Sequence, residues 1–298
     1  MDAELKASLE AFLQHLAHAR GYSAHTLSAY RCDIGQFLQY LSTEGRGRWR
    51  QVDVACVRAY AAWRYRGGLS GRSLQRKLSA LRAFAGFLAE QGDARNNPVR
   101  HVRAPRAPRK LPSVLDADQM HRLLQIDDND PLALRDRAIM ELAYSSGLRL
   151  AELVSLELSS MDRADGVVDV IGKGAKQRKV PVGRFAWEAL ERWLQARPSL
   201  AAFGETALFV GRSGHRLTAR AIQYRVRAWA RRRGIAQHVH PHMLRHAFAS
   251  HLLESSGDLR AVQELLGHAN IGTTQVYTHL DFQHLAQVYD KAHPRARK

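Results

Sequence analysis

A basic, proline-rich stretch divides the chain about one third of the way along. Between Arg100 and Pro112 the sequence has three prolines and five cations but no acidic residue. Proline lacks a backbone N–H and biases the residue before it away from helix, so a helix is not expected to continue through this stretch. We therefore predict a helical N-terminal domain over 1–99, an extended linker over 100–112 and a second domain over 113–298.

The charge of the chain is strongly positive, +17 at pH 7 over 298 residues. Residues 1–110 contain 19 Lys and Arg against 8 Asp and Glu, whereas the remainder contains 26 against 20. An excess of this size favours a polyanionic partner, nucleic acid first. An acidic membrane surface, or solubility alone, is the alternative explanation.

Other features of the composition indicate a cytosolic protein. No apolar run approaches the roughly 18–20 residues of a membrane span. The opening residues lack the basic start and apolar core of a secretion signal. The cysteines, Cys32 and Cys56, predict reduced thiols rather than a disulfide scaffold.

Four amphipathic patterns predict helices in the first hundred residues. The first carries Leu5, Leu9 and Leu16, and the others begin near Ser23, near Asp53, and near Ser70 or Ser73. The polar faces of the last two are almost uniformly cationic, which is unfavourable unless an anion lies against them. The linker cations could follow a DNA backbone, although an ordinary interdomain linker is the alternative. The residues predicted to contact DNA, including two from a hairpin described next, are Arg72, Arg76, Lys77, Arg103, Arg106, Arg109, Lys176 and Arg178.

The second part of the chain predicts a mainly α domain with a small antiparallel β-sheet. Helices are expected after Asp116 or Asp118, around Gly147, and over 186–196 and 219–233. Five arginines between 225 and 233 indicate another anion-binding surface. Residues 167–171 and 178–182 predict two strands joined by a loop over 172–177.

Transfer of a phosphodiester without a metal needs three kinds of group. Cations must hold the charge on the non-bridging oxygens, a nucleophile must attack the phosphorus, and the leaving oxygen needs a proton. Arginine suits the first task because it is planar and always charged. Lysine or histidine suits proton transfer, and tyrosine, serine or cysteine can be the nucleophile.

The C-terminal third supplies candidates for these roles. His242 and Arg245 are three residues apart, so they share one face of a helix that Pro241 is suited to begin. Gly267 is a plausible helix end, with His268 just beyond it. Tyr277 follows nine residues after His268.

Two further candidates lie upstream. Arg149 is predicted within an apolar helix, where an arginine needs an anion, and Glu152 at i+3 could orient it. Lys173 stands between two glycines at the hairpin tip, where it could reach into a neighbouring groove.

Alternative chemistries fit less well. The histidines at 238, 240, 242 and 246 lack the His-Glu-x-x-His pattern and nearby thiolates, so we predict no metal site. Lys173 is followed by glycine rather than serine or threonine, which excludes a phosphate-binding P-loop.

As an ordered set these motifs resemble the tyrosine site-specific recombinases of the phage integrase family. The resemblance covers essentially the whole chain. It rests on Ser-Gly-Leu-Arg149 with Glu152, Lys173, His242-Met-Leu-Arg245-His246, Leu-Gly-His268, and Tyr277 within Thr-Gln-Val-Tyr-Thr-His-Leu-Asp. Met243 departs from the family, where many relatives have a basic residue, and this puts one phosphate contact in doubt but no catalytic role.

The resemblance implies a two-domain, C-shaped DNA clamp with the catalytic fold of DNA breaking-rejoining enzymes. It implies that Tyr277 attacks the scissile phosphate and forms a 3′-phosphotyrosyl bond, while Arg149 and Arg245 clamp the non-bridging oxygens. Lys173 would protonate the leaving oxygen. The two histidines complete the set: His242 would assist proton transfer and His268 would hydrogen-bond the phosphate. Neither a metal nor another cofactor is expected.

The end of the chain, residues 282–295, resembles the branch of the family that resolves bacterial chromosome dimers. This implies exchange through a Holliday junction at a dif-like site, in a heterotetramer with a XerD-type partner recombinase, with control by the FtsK translocase and a location on the cytoplasmic nucleoid. The apolar stripe of Phe282, Leu285 and Tyr289 either closes its own domain or, as in the family, docks on a neighbouring subunit. The alternatives are an integrase of phage or integron type and a DNA-binding relative without catalysis.

Overall fold

The computed structural model describes residues 3–92, 97–105, 114–172, 177–266, 289 and 292–295. The chain forms two compact units, Met1–Leu111 and Pro112–Lys298. The division falls inside the predicted linker, of which residues 106–112 lie outside the described ranges. Among the helices that the structure describes, none is both long and apolar enough to cross a membrane.

Unit 1, the first of these two units, is helical in its described parts. The caps follow the sequence signals: Ser23 Oγ accepts from the backbone N–H of Thr26, Asp53 from Cys56, and Ser70 from Ser73. These caps satisfy backbone donors that a helix start leaves unpaired. The prediction of four helices is confirmed, and of the two candidate serines Ser70 is the cap. The helices are α1 (Ala3–His18), α2 (Ala24–Thr43), α3 (Val54–Arg66) and α4 (Gly71–Glu90).

The core of unit 1 is rich in aromatic side chains. Phe37 and Tyr60 meet edge to face with ring centroids 4.9 Å apart, and Trp49 and Phe84 do so at 5.3 Å. Phe12 of α1 reaches Phe84 of α4 at 5.4 Å. Such tilted pairs are favoured by the ring quadrupole and add to the burial of apolar area. The predicted leucine stripe of α1 is also buried in this core.

Unit 2, the second compact unit, contains helices around a small sheet. Asp116 caps the first helix through the backbone N–H of Gln119, so it is the cap rather than Asp118. The helices are α5 (Ala117–Leu124), α6 (Pro131–Ser146), α7 (Leu150–Ser155), α8 (Arg184–Ala196), α9 (Ala219–Arg232), α10 (Pro241–Ser256) and α11 (Leu259–Leu266). The start of α10 at Pro241 confirms the prediction for that residue.

The sheet of unit 2 has the antiparallel order β1-β2-β3 in the described residues. Strand β1 is Met161–Asp162, β2 is Val167–Ile171 and β3 is Gln177–Pro181. In the register of β2 and β3, Val167 lies opposite Pro181 and Val170 opposite Arg178. The hairpin prediction is confirmed. Strand β1 was not predicted, because two residues are too few to show an alternation of apolar and polar side chains.

Gly147 ends α6, and Arg149 therefore lies at a helix start rather than within a helix as predicted. Gly147 has φ +57°, the left-handed conformation that commonly stops a helix. A Cβ at Gly147 would lie 2.5 Å from Cδ1 of Phe248 on α10, so the two helices also approach too closely here for a side chain. Arg149 therefore lies at the N-cap of α7, and the prediction that it lies inside a helix is wrong.

The described C-terminal residues pack on α6 of their own unit. The hydroxyls of Tyr289 and Ser145 are 2.6 Å apart, and the rings of Tyr289 and His293 stack at 5.0 Å. Arg295 lies 3.3 Å from the buried carboxylate of Glu141. Of the two possibilities for the apolar stripe, Tyr289 follows the first, because it is buried in its own chain. Phe282 and Leu285 lie outside the described residues.

Candidate active site

Arg245 is a buried cation held by backbone carbonyls. Its Nη1 donates to the carbonyl of Gly147 at 2.6 Å, and its Nη2 donates to the carbonyl of Leu266 at 2.7 Å. Both acceptors lie at helix ends, those of α6 and α11, where carbonyls lack helical partners and the helix dipole favours positive charge. The guanidinium therefore joins the ends of two helices to the first turns of α10.

The surroundings of Arg245 favour an anion. Burial and, to a smaller extent, the positive charge of Arg149 lower its pKa to about 10, although the carboxylate of Glu152 opposes the shift. The group is still charged at neutral pH. Arg245 contacts the carbonyl of Gly147, two residues before Arg149, so the two predicted arginines lie near each other and repel.

Glu152 fixes Arg149 by two hydrogen bonds. The Nη1 of Arg149 donates to Oε1 of Glu152 at 2.9 Å, and the backbone N–H of Arg149 donates to Oε2 at 2.8 Å. Glu152 is buried, whereas the side chain of Arg149 is 36% exposed. The prediction that Glu152 orients Arg149 is confirmed.

Arg178 also binds Glu152, an interaction that the sequence did not indicate. Its Nη1 and Nη2 donate to Oε1 and Oε2 of Glu152 at 2.9 and 3.0 Å. Burial raises the pKa of Glu152, but the hydrogen bonds from Arg178 and Arg149 outweigh it and leave the pKa below its usual value. The carboxylate is therefore ionised and pairs with two guanidiniums, those of Arg149 and Arg178. The guanidinium of Arg245 is near enough to be repelled by both. Such a site can bind a phosphodiester.

His242 lies in the first turn of α10 and is exposed. The ring of His240, the residue before the helix, lies 6.3 Å from it. Burial lowers the pKa of His240, and His242, His238 and His246 lower it further. Within the described ranges, no three side chains of the His, Cys, Asp and Glu types form a group that could hold a metal ion.

The remaining catalytic predictions fall on residues that the structure does not describe. These are Lys173, His268 and Tyr277. Strand β2, which ends at Ile171, and helix α11, which ends at Leu266, are the described elements that precede them. Their roles stay predictions.

The structure corrects the predicted DNA contact of Lys77. Its side chain donates to Asp33 Oδ1 at 2.7 Å and to Gln36 at 2.9 Å, and the residue is only 3% exposed. Lys77 lies on the apolar face of α4 between Leu74 and Leu78, so it is not available to DNA. Arg76 also pairs with Asp33, but its side chain remains 55% exposed.

The predicted contact of Arg178 needs the same correction, because this side chain is 11% exposed and its fork is engaged by Glu152. Arg72 and Arg103 are exposed and could meet phosphates. Arg106, Arg109 and Lys176 lie outside the described residues.

A cationic stripe on α9 refines the predicted arginine surface at 225–233. Arg225 does not belong to it, because it forms an ion pair at 2.5 Å with the buried carboxylate of Asp136. The opposite face of the helix packs Ile222, Val226 and Trp229 into the core. The exposed residues that we call the α9 stripe are Arg220, Gln223, Tyr224, Arg227 and Arg231.

Comparisons with known proteins identify the family of this chain. Residues 113–284 match the phage integrase family, and residues 9–92 match the phage integrase N-terminal SAM-like domain. The chain is 54% identical over 295 residues to a tyrosine recombinase XerC of Pseudomonas aeruginosa, covering 99% of this chain and 97% of the relative. A tyrosine recombinase XerC of Xanthomonas campestris is 52% identical over 297 residues, covering 100% of this chain and 91% of the relative.

A solved structure shows the same fold. The XerH site-specific recombinase bound to difH substrate, in a pre-cleavage complex, superposes with a TM-score of 0.68 at 25% identity, covering 94% of this chain and 83% of that chain. The mainly α fold with a small antiparallel sheet is therefore that of the recombinases. On these grounds the chain belongs to the phage integrase family and is a site-specific tyrosine recombinase, an enzyme that exchanges DNA strands.

Proposed function

We propose that the protein resolves chromosome dimers at a dif-type site, together with a XerD-type partner recombinase in a heterotetramer. The observation that carries the proposal is the pairing of Arg149 with the ionised carboxylate of Glu152 beside the buried cation Arg245. The similarity to relatives named XerC, which are 52% and 54% identical over nearly the whole chain, supports the dif-type target and the XerD-type partner. The XerH structure was solved on a difH substrate, which supports a site of the dif type.

The proposed cleavage step balances without an added cofactor. The Tyr277 hydroxyl oxygen attacks the scissile phosphorus and gives its proton toward His242, while the bond from phosphorus to the 5′ oxygen breaks. Lys173 protonates that oxygen. Arg149 and Arg245 hold the two non-bridging oxygens, whose charge is greatest in the transition state. The product is a 3′-phosphotyrosyl bond and a free 5′ hydroxyl.

Rejoining is the reverse reaction with a different strand. The 5′ hydroxyl of the partner duplex gives its proton to Lys173 and attacks the phosphorus. The bond from phosphorus to Tyr277 breaks, and the tyrosine oxygen regains a proton from His242. Because one phosphodiester is exchanged for another, the step needs no nucleotide hydrolysis. Two such exchanges pass through a Holliday junction, and His268 is proposed to hydrogen-bond the phosphate in each.

We propose that DNA is contacted from both units. In unit 1 the exposed Arg72 and Arg103 would meet phosphates, and in unit 2 the α9 stripe would do so. The linker cations Arg106 and Arg109, and Lys176 of the hairpin, complete the proposed set. By likeness to its XerC relatives, the protein would act on the cytoplasmic nucleoid under control of a translocase of the FtsK type.

The proposal is tested with a suicide substrate, a dif-type duplex that carries a nick near the scissile phosphate. We expect a covalent protein–DNA adduct with the full-length protein and its XerD-type partner, and no adduct with Tyr277→Phe. Tyr65→Phe, which removes the hydroxyl of an exposed tyrosine in unit 1, is the matched control and should still form the adduct. An adduct that persists in Tyr277→Phe would exclude this nucleophile. Adduct formation on a phage attachment site but not on dif DNA would favour an integrase.

A further inference from the structure

We infer that Arg178 is a positioning residue for DNA cleavage, which acts through Glu152 on Arg149. The inference rests on the proposed function, in which Arg149 holds the scissile phosphate. Arg178 does not need to touch the DNA for this role. It neutralises the carboxylate to which Arg149 is anchored, so that the charge of Arg149 remains available to the substrate.

The carboxylate of Glu152 accepts as many hydrogen bonds from Arg178 as from Arg149. Each carboxylate oxygen accepts one hydrogen bond from Arg178 and one from Arg149, at distances between 2.8 and 3.0 Å. A carboxylate offers about four lone-pair directions, so these four bonds fill them. Glu152 therefore serves both arginines at once and has no capacity left for a third donor.

The exposure of the two arginines assigns them different tasks. The side chain of Arg178 is 11% exposed and uses both ends of its fork on Glu152. The side chain of Arg149 is 36% exposed and presents one nitrogen to the same carboxylate. Arg178 thus forms the buried ion pair, and Arg149 is the cation that can face a ligand. Without Arg178, the buried charge of Glu152 would draw the guanidinium of Arg149 toward itself and compete with the phosphate.

The pair also fastens the hairpin to the site. Arg178 is the second residue of β3, and it lies opposite Val170 of β2. Glu152 lies in α7, directly after Arg149 has begun that helix. The ion pair therefore joins the loop end of the β2–β3 hairpin to the helix start that places Arg149. In sequence, this hairpin carries Lys173, the proposed proton donor.

The test compares cleavage, affinity and stability in four variants of the full-length protein. These are Arg178→Gln, Arg178→Lys, Glu152→Gln and the double variant Arg178→Gln/Glu152→Gln. Cleavage of the suicide substrate is measured in single turnover at saturating protein, DNA affinity by fluorescence anisotropy over a range of salt, and folding by thermal unfolding. Arg197→Gln is the matched control, because Arg197 is a buried arginine of unit 2 that binds backbone carbonyls away from this site.

We expect Arg178→Gln to lower the cleavage rate by about 100-fold, as a small misplacement of a catalytic group does. DNA affinity and its salt dependence should not change. The double variant should cleave at least about tenfold faster than Arg178→Gln, since it also removes the uncompensated carboxylate and residues of one network are not additive. Arg178→Lys keeps the charge without the fork and should fall between the unchanged protein and Arg178→Gln. Arg197→Gln should lose stability without losing cleavage below its unfolding temperature.

Three results would overturn the inference alone. The first is a loss of affinity and of salt dependence in Arg178→Gln with normal cleavage at saturation, which would make Arg178 a direct phosphate contact. The second is a double variant whose losses multiply. The third is a cleavage rate per folded molecule that equals that of Arg197→Gln, which would make the role purely structural. If the unchanged protein formed no adduct, the proposed function would fail first, and the inference with it.

Discussion

At the scale of single residues, charge in this molecule is used in two ways. Some charged side chains are buried and satisfied within the fold, such as Lys77 on Asp33 and Arg225 on Asp136. Others remain directed to solvent, such as Arg72 and Arg220. If the second group contacts DNA as proposed, substitutions in the first group should affect stability and those in the second should affect DNA affinity.

Lys77→Met is expected to destabilise unit 1 by about 3 kcal/mol, because it leaves Asp33 buried with Arg76 as its remaining cation. Arg72→Ala should leave the thermal unfolding temperature unchanged and weaken DNA binding. Thermal unfolding and DNA affinity at a fixed salt concentration separate these outcomes. A Lys77→Met protein of normal stability and weakened DNA affinity would restore Lys77 as a DNA contact.

Glu141 gives a prediction for the pH dependence of stability. Burial raises its pKa to about 7, although Arg295 and Arg137 act against the shift. Because the pKa is higher in the folded state than in the unfolded chain, the stabilising contribution is complete below about pH 4.5 and is lost as the pH rises through 7. Glu141→Gln should therefore raise the free energy of unfolding at pH 8 relative to the unchanged protein, by roughly 3 kcal/mol.

The measurement is thermal unfolding from pH 5 to pH 8 for both proteins. Burial lowers the pKa of His293 to about 3, which removes stability as the pH falls below about 6.5. Both proteins contain His293, so the difference between them isolates Glu141. Glu254→Gln, at an exposed position, is the control and should keep the slope of the unchanged protein. Equal slopes in all three proteins would contradict the burial of an ionisable Glu141.

At the scale of elements, the site depends on the junction at which α6 ends. Gly147 stops α6, lies against Phe248 of α10 and offers its carbonyl to Arg245. One residue thus sets the approach of two helices and the position of Arg245, the proposed phosphate clamp. Disturbing this junction should affect stability and cleavage together.

Gly147→Ala is expected to lose both, with Gly257→Ala as its control. Each glycine ends a helix at positive φ, +57° and +66°, so each substitution brings a similar backbone strain of roughly 1 kcal/mol. A Cβ at Gly257 meets nothing within 4 Å, whereas one at Gly147 meets Phe248 at 2.5 Å. Thermal unfolding should show the larger loss in Gly147→Ala, and only this variant should cleave more slowly. Equal losses would show that the contact with Phe248 does not matter.

The elements also show how far sequence reasoning extends. Signals local in sequence were sufficient for the caps at Ser23, Asp53 and Asp116, for the hairpin and for the pairing of Arg149 with Glu152. Partners distant in sequence were not visible. Asp33 of α2 forms an ion pair with Lys77 of α4, and Glu152 of α7 forms one with Arg178 of β3. A lysine or arginine in an amphipathic pattern is expected at the surface. Only the structure shows that a buried carboxylate elsewhere in the chain pairs with it.

The carbonyls of Gly147 and Leu266 were beyond prediction for a different reason. Every residue has a backbone carbonyl, so no residue type marks the two that hold Arg245. The role of Arg245 as a clamp was implied by the resemblance to the family, whereas its spacing to His242 predicted only that the two share a helix face. Its support became visible only with the ends of α6 and α11 in place.

At the scale of the whole molecule, the net charge of +17 predicts DNA binding that depends strongly on salt. The α9 stripe should account for part of this dependence. Arg220→Gln/Arg231→Gln is expected to reduce the slope of log affinity against log salt by about 2, since each lost phosphate contact removes about 0.9. Anisotropy titrations on dif-type DNA at several salt concentrations measure the slope.

A charge-matched control distinguishes specific contacts from total charge. Arg163 and Arg184 are exposed arginines that already pair with Glu191 and Glu188. Arg163→Gln/Arg184→Gln removes the same two charges and should change the slope much less. Equal changes in both double variants would mean that net charge, rather than the α9 stripe, governs the affinity.

The carbonyl support of Arg245 has a consequence for how this enzyme can diverge. An acceptor that belongs to the main chain survives replacement of its side chain, so position 266 should accept other apolar residues that fill the same buried space. Arg149 is held instead by a side-chain carboxylate, that of Glu152, and position 152 should accept almost nothing else. In a library of all single substitutions selected for recombination, we expect tolerance at 266 and near-complete intolerance at 152. We therefore expect sequence variation to be tolerated at the residue that supports Arg245 and to be excluded at the residue that supports Arg149.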